Sequence, residues 1–205
     1  MKKNLSILLA VIAWGAVITQ YFLMIENRVA SVGETTIRFF SFFTILTNSL
    51  VAIYFTSISV RGKNSNLLRI QKPGVLTSIT VYITVVGLVY QIVLRQIWQP
   101  TGIQMIVDEL LHSIIPISVI AYWYGYEDKS VIAYGQIIQW LIYPLLYLLF
   151  ILGRGGVSNF YPYPFVDVAV LGLPKVVVNS IILLALFVVL SALFIKAGKI
   201  FQSRK

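Results

Sequence analysis

His112 is the only histidine in the 205 residues, and two carboxylates stand close before it. Asp108 lies four residues upstream and Glu109 three, so on a helix either side chain reaches the ring. A carboxylate there fixes the imidazole tautomer and favours the imidazolium, as in the second half of a triad-like relay. Pro116 follows four residues later. It lacks an N–H, and its ring crowds the carbonyl of residue i−4, which is His112, so a kink is expected at the histidine. The structural alternative is a hydrogen-bonded, inert histidine near an interface. One histidine, no H-E-x-x-H spacing and no cysteine give no metal-ligand set, so neither a metal nor a cofactor is expected.

A second polar group lies earlier in the chain. Ser41, Thr44 and Asn48 are spaced by three and four, which puts them near one helical face, with Thr47 beside them. Such residues also have purely structural uses: Ser and Thr bond the i−4 carbonyl of their own helix, and Asn joins two helices. A third group is the run from Arg154 to Asp167, with Tyr161-Pro162-Tyr163-Pro164-Phe165 at its centre. Two prolines two apart forbid a regular helix, and Gly155 and Gly156 permit an unusual turn. This segment is either an interfacial loop folded back on its bundle or a lid over a pocket. As a lid, it would set Arg154, Tyr161, Tyr163 and Phe165 against a substrate. Arg154 and Asp167 are candidates to pair with each other or with Asp108 or Glu109.

The elements that must carry these residues are membrane helices. The chain is 59% hydrophobic and 11% charged, against about 45–50% and about 25% in soluble domains. Long apolar stretches cover 5–24, 37–60, 75–94, 106–124, 134–152 and 176–195. Each is close to the roughly 20 residues that cross a bilayer, and backbone amides in lipid must bond within their own segment. The fold class expected is all-α: one polytopic transmembrane domain, 1–205, of about six helices. The first stretch follows two lysines as a signal peptide would. It is longer than an ordinary signal core and lacks a small-x-small exit, so it reads as a retained span.

The net charge of +9 is a topology signal in so apolar a chain, and no nucleic-acid partner is expected. With the N-terminus inside, basic residues cluster on the inner side: Lys2 and Lys3, then Arg61, Lys63, Arg69 and Lys72, then Lys129, and finally Lys196, Lys199, Arg204 and Lys205. Only Arg28, Arg38, Arg95, Arg154 and Lys175 fall outside. The positive-inside rule then puts both termini in the cytoplasm. On that topology the three polar groups lie toward the outer face.

Three motifs occur in order: Phe42-Phe43-Thr44-Ile45-Leu46-Thr47-Asn48, Leu110-Leu111-His112-x3-Pro116, and Tyr161-Pro162-Tyr163-Pro164-Phe165. With them, nearly the whole chain resembles the bacterial six-span Pr-six-Pr membrane proteins. On short motifs and span order it more distantly resembles the eukaryotic androgen-induced membrane proteins. The bacterial resemblance implies a multipass protein of the inner membrane. The eukaryotic one implies a threonine hydrolase that cleaves lipid-like esters, with Thr44 at the position of the family's nucleophile and His112 at that of its histidine. Here the histidine-to-proline gap is one residue shorter than in that pattern, and a second nearby histidine is absent.

The chemistry so implied is covalent. His112 would take the proton of the Thr44 hydroxyl, Asp108 or Glu109 would orient His112, and Asn48 or a backbone N–H would stabilise the oxyanion. Membrane lipid is the surrounding partner and a lipid ester the implied substrate. Counting from the span starts at Ile37 and Ile106, Thr44 and His112 lie at similar depths, roughly 10 Å in for Thr44 at 1.5 Å per residue. The rival reading is a small transporter, or a lipid-binding or partner-binding protein without catalysis, in which Asp108, Glu109 and His112 form a proton or ligand site.

Overall fold

A computed structural model describes residues 2–60 and 72–203. Among them every regular element is helical, and the chain is an all-α multipass membrane bundle. Arg61, Lys63, Arg69, Arg204 and Lys205, which entered the charge argument, lie outside the described residues. The chain divides into two compact units, 1–132 and 133–205.

The first unit begins with α1, Lys2–Glu26. Ala10, Ala13 and Ala16 are buried on one face, while Val11, Ile18 and Phe22 are exposed. Small side chains let a neighbouring backbone approach closely, and an apolar outer face suits lipid. The neighbour is α3, Phe43–Ser59, and Trp14 Nε1 donates to Thr56 Oγ1 across the pair at 3.1 Å.

The expected second span, 37–60, is not one helix. It is a short α2, Val32–Phe39, then a break, then α3, with 71° between the two axes. No proline or glycine occupies the break. Ser41 Oγ bonds the Ile37 carbonyl at 2.7 Å, and Phe39 is buried with its ring edge-on to Tyr21 at 5.1 Å. Side-chain bonding and tertiary packing turn the chain here, not a helix-breaking residue. Ser41 therefore does not share a helix face with Thr44 and Asn48, and Thr44 is the second residue of its helix rather than about seven residues in.

After α4, Val75–Ile92, and a 3-10 turn at Leu94–Gln96, the chain enters α5, Gly102–Glu109. A π-helical turn, Leu110–Ile114, joins α5 to α6, Ile115–Tyr126. The helix α4 packs against both α3 and α6 and is the most enclosed crossing among those described. Five helical stretches are long and apolar enough to cross a membrane, and the bent α2–α3 pair makes a sixth if it counts as one span.

The second unit holds α7, Ile137–Ser158, a one-turn α8, Val168–Leu171, and α9, Leu173–Ser203. Asn159 ends α7 in the left-handed conformation at φ 54°, a place asparagine tolerates. Asp167 caps α8 by accepting from the amides of Ala169 and Val170.

Candidate functional site

Three helices of the first unit converge at His112. Pro116 sets the local backbone. In the π-helical turn the amide of Ile115 bonds back to the carbonyl of Leu110, five residues earlier. The next bond in that register would run from residue 116 to Leu111, and proline has no N–H to give. The Leu111 carbonyl is instead met by Asn48 Nδ2 from α3 at 3.3 Å. The neighbouring His112 carbonyl faces α4 at Gly87, where a Cβ would lie 3.1 Å from it and 3.4 Å from the Pro116 ring. The kink expected at the histidine takes the form of this wider turn, and α3 and α4 supply the groups that accommodate it.

The ring is oriented from both ends. His112 Nδ1 is 2.9 Å from the main-chain carbonyl of Asp108. A carbonyl only accepts, so Nδ1 carries the proton and Nε2 is left as the acceptor. Nε2 lies 3.4 Å from Thr44 Oγ1, at the long end of hydrogen-bond range. Tyr90, from α4, stacks on the imidazole with 4.1 Å between centroids and 13° between planes. All of this is enclosed: His112 is 9% exposed, Thr44 7%, Asp108 6% and Asn48 0%.

Several expectations are refined by this geometry. Thr44 supplies the hydroxyl against Nε2, while Thr47 is wholly buried in the same turn. The nearest carboxyl oxygen to Nδ1 is Asp108 Oδ1 at 3.6 Å, beyond a hydrogen bond, so the main chain of Asp108 does the orienting and its side chain stands beside the ring. Asp108 Oδ2 is buried beyond close hydrogen-bond range of any donor, with the Tyr90 hydroxyl directed to the same carboxyl group. Glu109 points elsewhere and pairs with Arg95 and Ser113. Asn48 Nδ2 places both its hydrogens on carbonyls, those of Thr44 and Leu111, and its Oδ1 is the atom left without a partner. Its amide is thus a backbone tie rather than a donor aimed at an oxyanion. Among the described residues no cluster of three or more His, Asp or Glu side chains is placed to hold a metal.

Sequence reasoning missed a polar ring beside this pair. Arg95 Nη1 donates to Gln91 Oε1 at 2.7 Å, Gln91 Nε2 to Ser113 Oγ at 2.8 Å, and Ser113 Oγ to Glu109 Oε2 at 2.6 Å. Arg95 closes the ring through Nη2 on Glu109 Oε1. The signal was present as Gln91 and Arg95, polar residues at i and i+4 at the end of an apolar stretch. Their partners lie on another helix, and spacing along the chain does not reveal those.

The remaining candidates lie in the second unit. The Tyr161 ring occupies the space a side chain on Gly155 would need, so glycine there lets the loop fold back. Tyr163 and Phe165 stack at 5.2 Å, and Asn179 Nδ2 on α9 ties down the Phe165 carbonyl at 2.9 Å. Arg154 reaches Ser158 Oγ at 3.3 Å, with its guanidinium 4.9 Å from the Phe160 ring centroid. The loop is thus folded onto its own unit by α7 and α9.

Comparison with known proteins adds no relative: no family model, no curated protein and no solved structure matches this chain.

Proposed function

We propose that this multipass membrane protein is an intramembrane threonine hydrolase acting on lipid-like esters. The observation that carries the reading is Thr44 Oγ1 at 3.4 Å from a histidine nitrogen left as the acceptor by the bond on its other side. A nucleophile, a base and an orienter in line are the minimum of covalent hydrolysis. The resemblance of three short motifs to the threonine hydrolases supports the same two residues.

In the reaction, His112 Nε2 accepts the Thr44 proton as Oγ1 attacks the ester carbonyl. The tetrahedral intermediate collapses, the alcohol leaves with the proton from His112, and an acyl-threonine remains. Water then adds to the acyl carbon and gives a proton to His112. Collapse returns that proton to Thr44 Oγ1 and releases the carboxylic acid. The imidazolium formed in each half is flanked by the Asp108 carboxylate at 3.6 Å. Developing oxyanion charge lies at the N-terminal end of α3, the positive end of the helix dipole, because Thr44 is its second residue. On the distribution of basic residues we infer that both termini are cytoplasmic and the site lies near the outer leaflet, and the resemblance to the bacterial six-span proteins implies an inner membrane.

The test is labelling of detergent-solubilised protein with a fluorophosphonate probe in the parent, Thr44→Ala, Thr47→Ala and His112→Ala. Labelling is expected in the parent and Thr47→Ala and lost in the other two, with all four folded. One observation favours the non-catalytic alternative: the Asp108 carboxyl is buried with Oδ2 lacking a close hydrogen bond, as in a proton or ligand site. A folded parent that takes no label gives that alternative the lead.

A further inference from the structure

Thr44 and His112 are buried. A cleft of about 530 Å³, in the range of ligand pockets, lies beside them, and neither residue lines it. Its walls are apolar along Met105, Ile106, Leu110 and Ile114, with Arg95 and Glu109 at the polar side. Tyr90 borders both spaces. It lines the cleft, and its ring stacks on the His112 imidazole.

We propose that this cleft is the route by which the acyl arm of a lipid ester reaches the buried pair, that Tyr90 is the door, and that Arg95 is its latch. The identity of what passes rests on the hydrolase reading; the door itself does not. The Arg95 guanidinium lies 5.8 Å from the Tyr90 centroid and is held by the ring of bonds through Gln91, Ser113 and Glu109. That ring ties the end of α4 to the turn that carries His112. While it is closed, Arg95 stays beside Tyr90 and Tyr90 stays on the histidine. When an acyl chain fills the cleft and its ester oxygens compete for Arg95, the latch loosens, Tyr90 swings off the imidazole, and the carbonyl meets Thr44. The apolar walls select a chain of methylenes, and the guanidinium selects a substrate with acceptor oxygens at the end of that chain.

His112 is the sole histidine, so its modification is read without ambiguity. The full-length protein in detergent is treated with diethylpyrocarbonate, and the hydroxylamine-reversible absorbance of carbethoxyhistidine is followed. Tyr90→Ala is expected to speed modification at least tenfold, and Arg95→Met severalfold, as is Tyr90→Phe, which loses the hydroxyl's tie to Asp108. Leu111→Ala, which removes a buried neighbour of His112 away from the cleft, is expected to change the rate little. Adding Ile106→Trp to Tyr90→Ala fills the cleft and is expected to return the rate toward the parent's. An unchanged rate in Tyr90→Ala overturns the door. Equal acceleration by Leu111→Ala, or no slowing by Ile106→Trp, means general loosening and overturns it too. Fluorophosphonate labelling separates the two ideas. Fast modification without threonine labelling leaves the door and removes the hydrolase, and the converse leaves the hydrolase and removes this route.

Discussion

At the scale of residues, the site depends on one missing hydrogen. Pro116 cannot bond the Leu111 carbonyl, and Asn48 does so from another helix. Because Asn48 also holds the carbonyl of Thr44 at 2.9 Å, one amide sets the backbone of Thr44 against the histidine's turn. Asn48→Ala should strand the Leu111 carbonyl in an apolar interior. Interhelical bonds of this kind are worth about 0.6–2 kcal/mol in membrane proteins, and a loss of that size is expected. Pro116→Ala restores an amide at 116, which should make Asn48 partly redundant. A double-mutant cycle on unfolding free energy in detergent checks this: the cost of Asn48→Ala should fall when Pro116 is already alanine. Strict additivity would mean that Asn48 stabilises the bundle in some other way.

At the scale of elements, the other end of the bundle is pinned by Glu127, the residue after α6. Its carboxylate accepts from the amide of Gly74 at 3.3 Å and from Thr77 Oγ1 at 3.1 Å, both at the start of α4, and Trp123 Nε1 donates to the same hydroxyl at 2.9 Å. Burial raises the Glu127 pKa above its ordinary 4.5, and the bonds from Thr77 and Gly74 and the nearby Lys129 charge only partly oppose this. For an acid whose folded pKa is raised, the folded state binds the proton more tightly than the unfolded one. The associated stability is therefore full below about 4.5 and is lost as pH rises through the folded value. Glu127→Gln keeps an acceptor and removes the titration. Melting temperatures between pH 4 and pH 8 should show the parent losing ground to Glu127→Gln as pH rises. A constant gap between the two across that range would refute the assignment. What composition revealed and what it hid also separate at this scale. The crossings at α1, α4, α5–α6, α7 and α9 were legible because a run of apolar residues has few other fates. The turn at Phe40–Phe42 was not, because Ser41 and Phe39 act there through partners that only the fold brings near. For the same reason Thr44 and His112 were legible as candidates, and Tyr90, Gln91 and Ser113 were not.

At the scale of the whole molecule, that same turn decides how many times the chain crosses. The helix α3 has 17 residues, about 25 Å at 1.5 Å each, just long enough to cross alone. If it crosses, Asn27, Gln96 and Val157 share one side and Ser130 takes the other. If α2 and α3 form a re-entrant pair, every later segment changes sides, and Asn27 and Gln96 are separated. The basic residues at 61, 63, 69 and 72 favour crossing, because a re-entrant pair would leave them opposite Lys2 and Lys3. The packing favours it as well: Phe55, near the far end of α3, meets the Tyr122 ring at 4.8 Å, and the Tyr122 hydroxyl bonds Ser6 near the start of α1 at 2.9 Å, so α3 runs the length of α1. The chain has no cysteine, so single replacements at Asn27, Gln96, Ser130 and Val157, each exposed, report without background. With a membrane-impermeant maleimide on intact cells, Asn27→Cys, Gln96→Cys and Val157→Cys are expected to label, and Ser130→Cys only after lysis. Labelling at Asn27 without Gln96 would make α3 re-entrant, with its tip near Thr44 no longer tied to either leaflet by the charge rule. Labelling at Ser130 alone would keep six crossings but invert them. The Thr44–His112 pair would then lie toward the cytoplasmic leaflet.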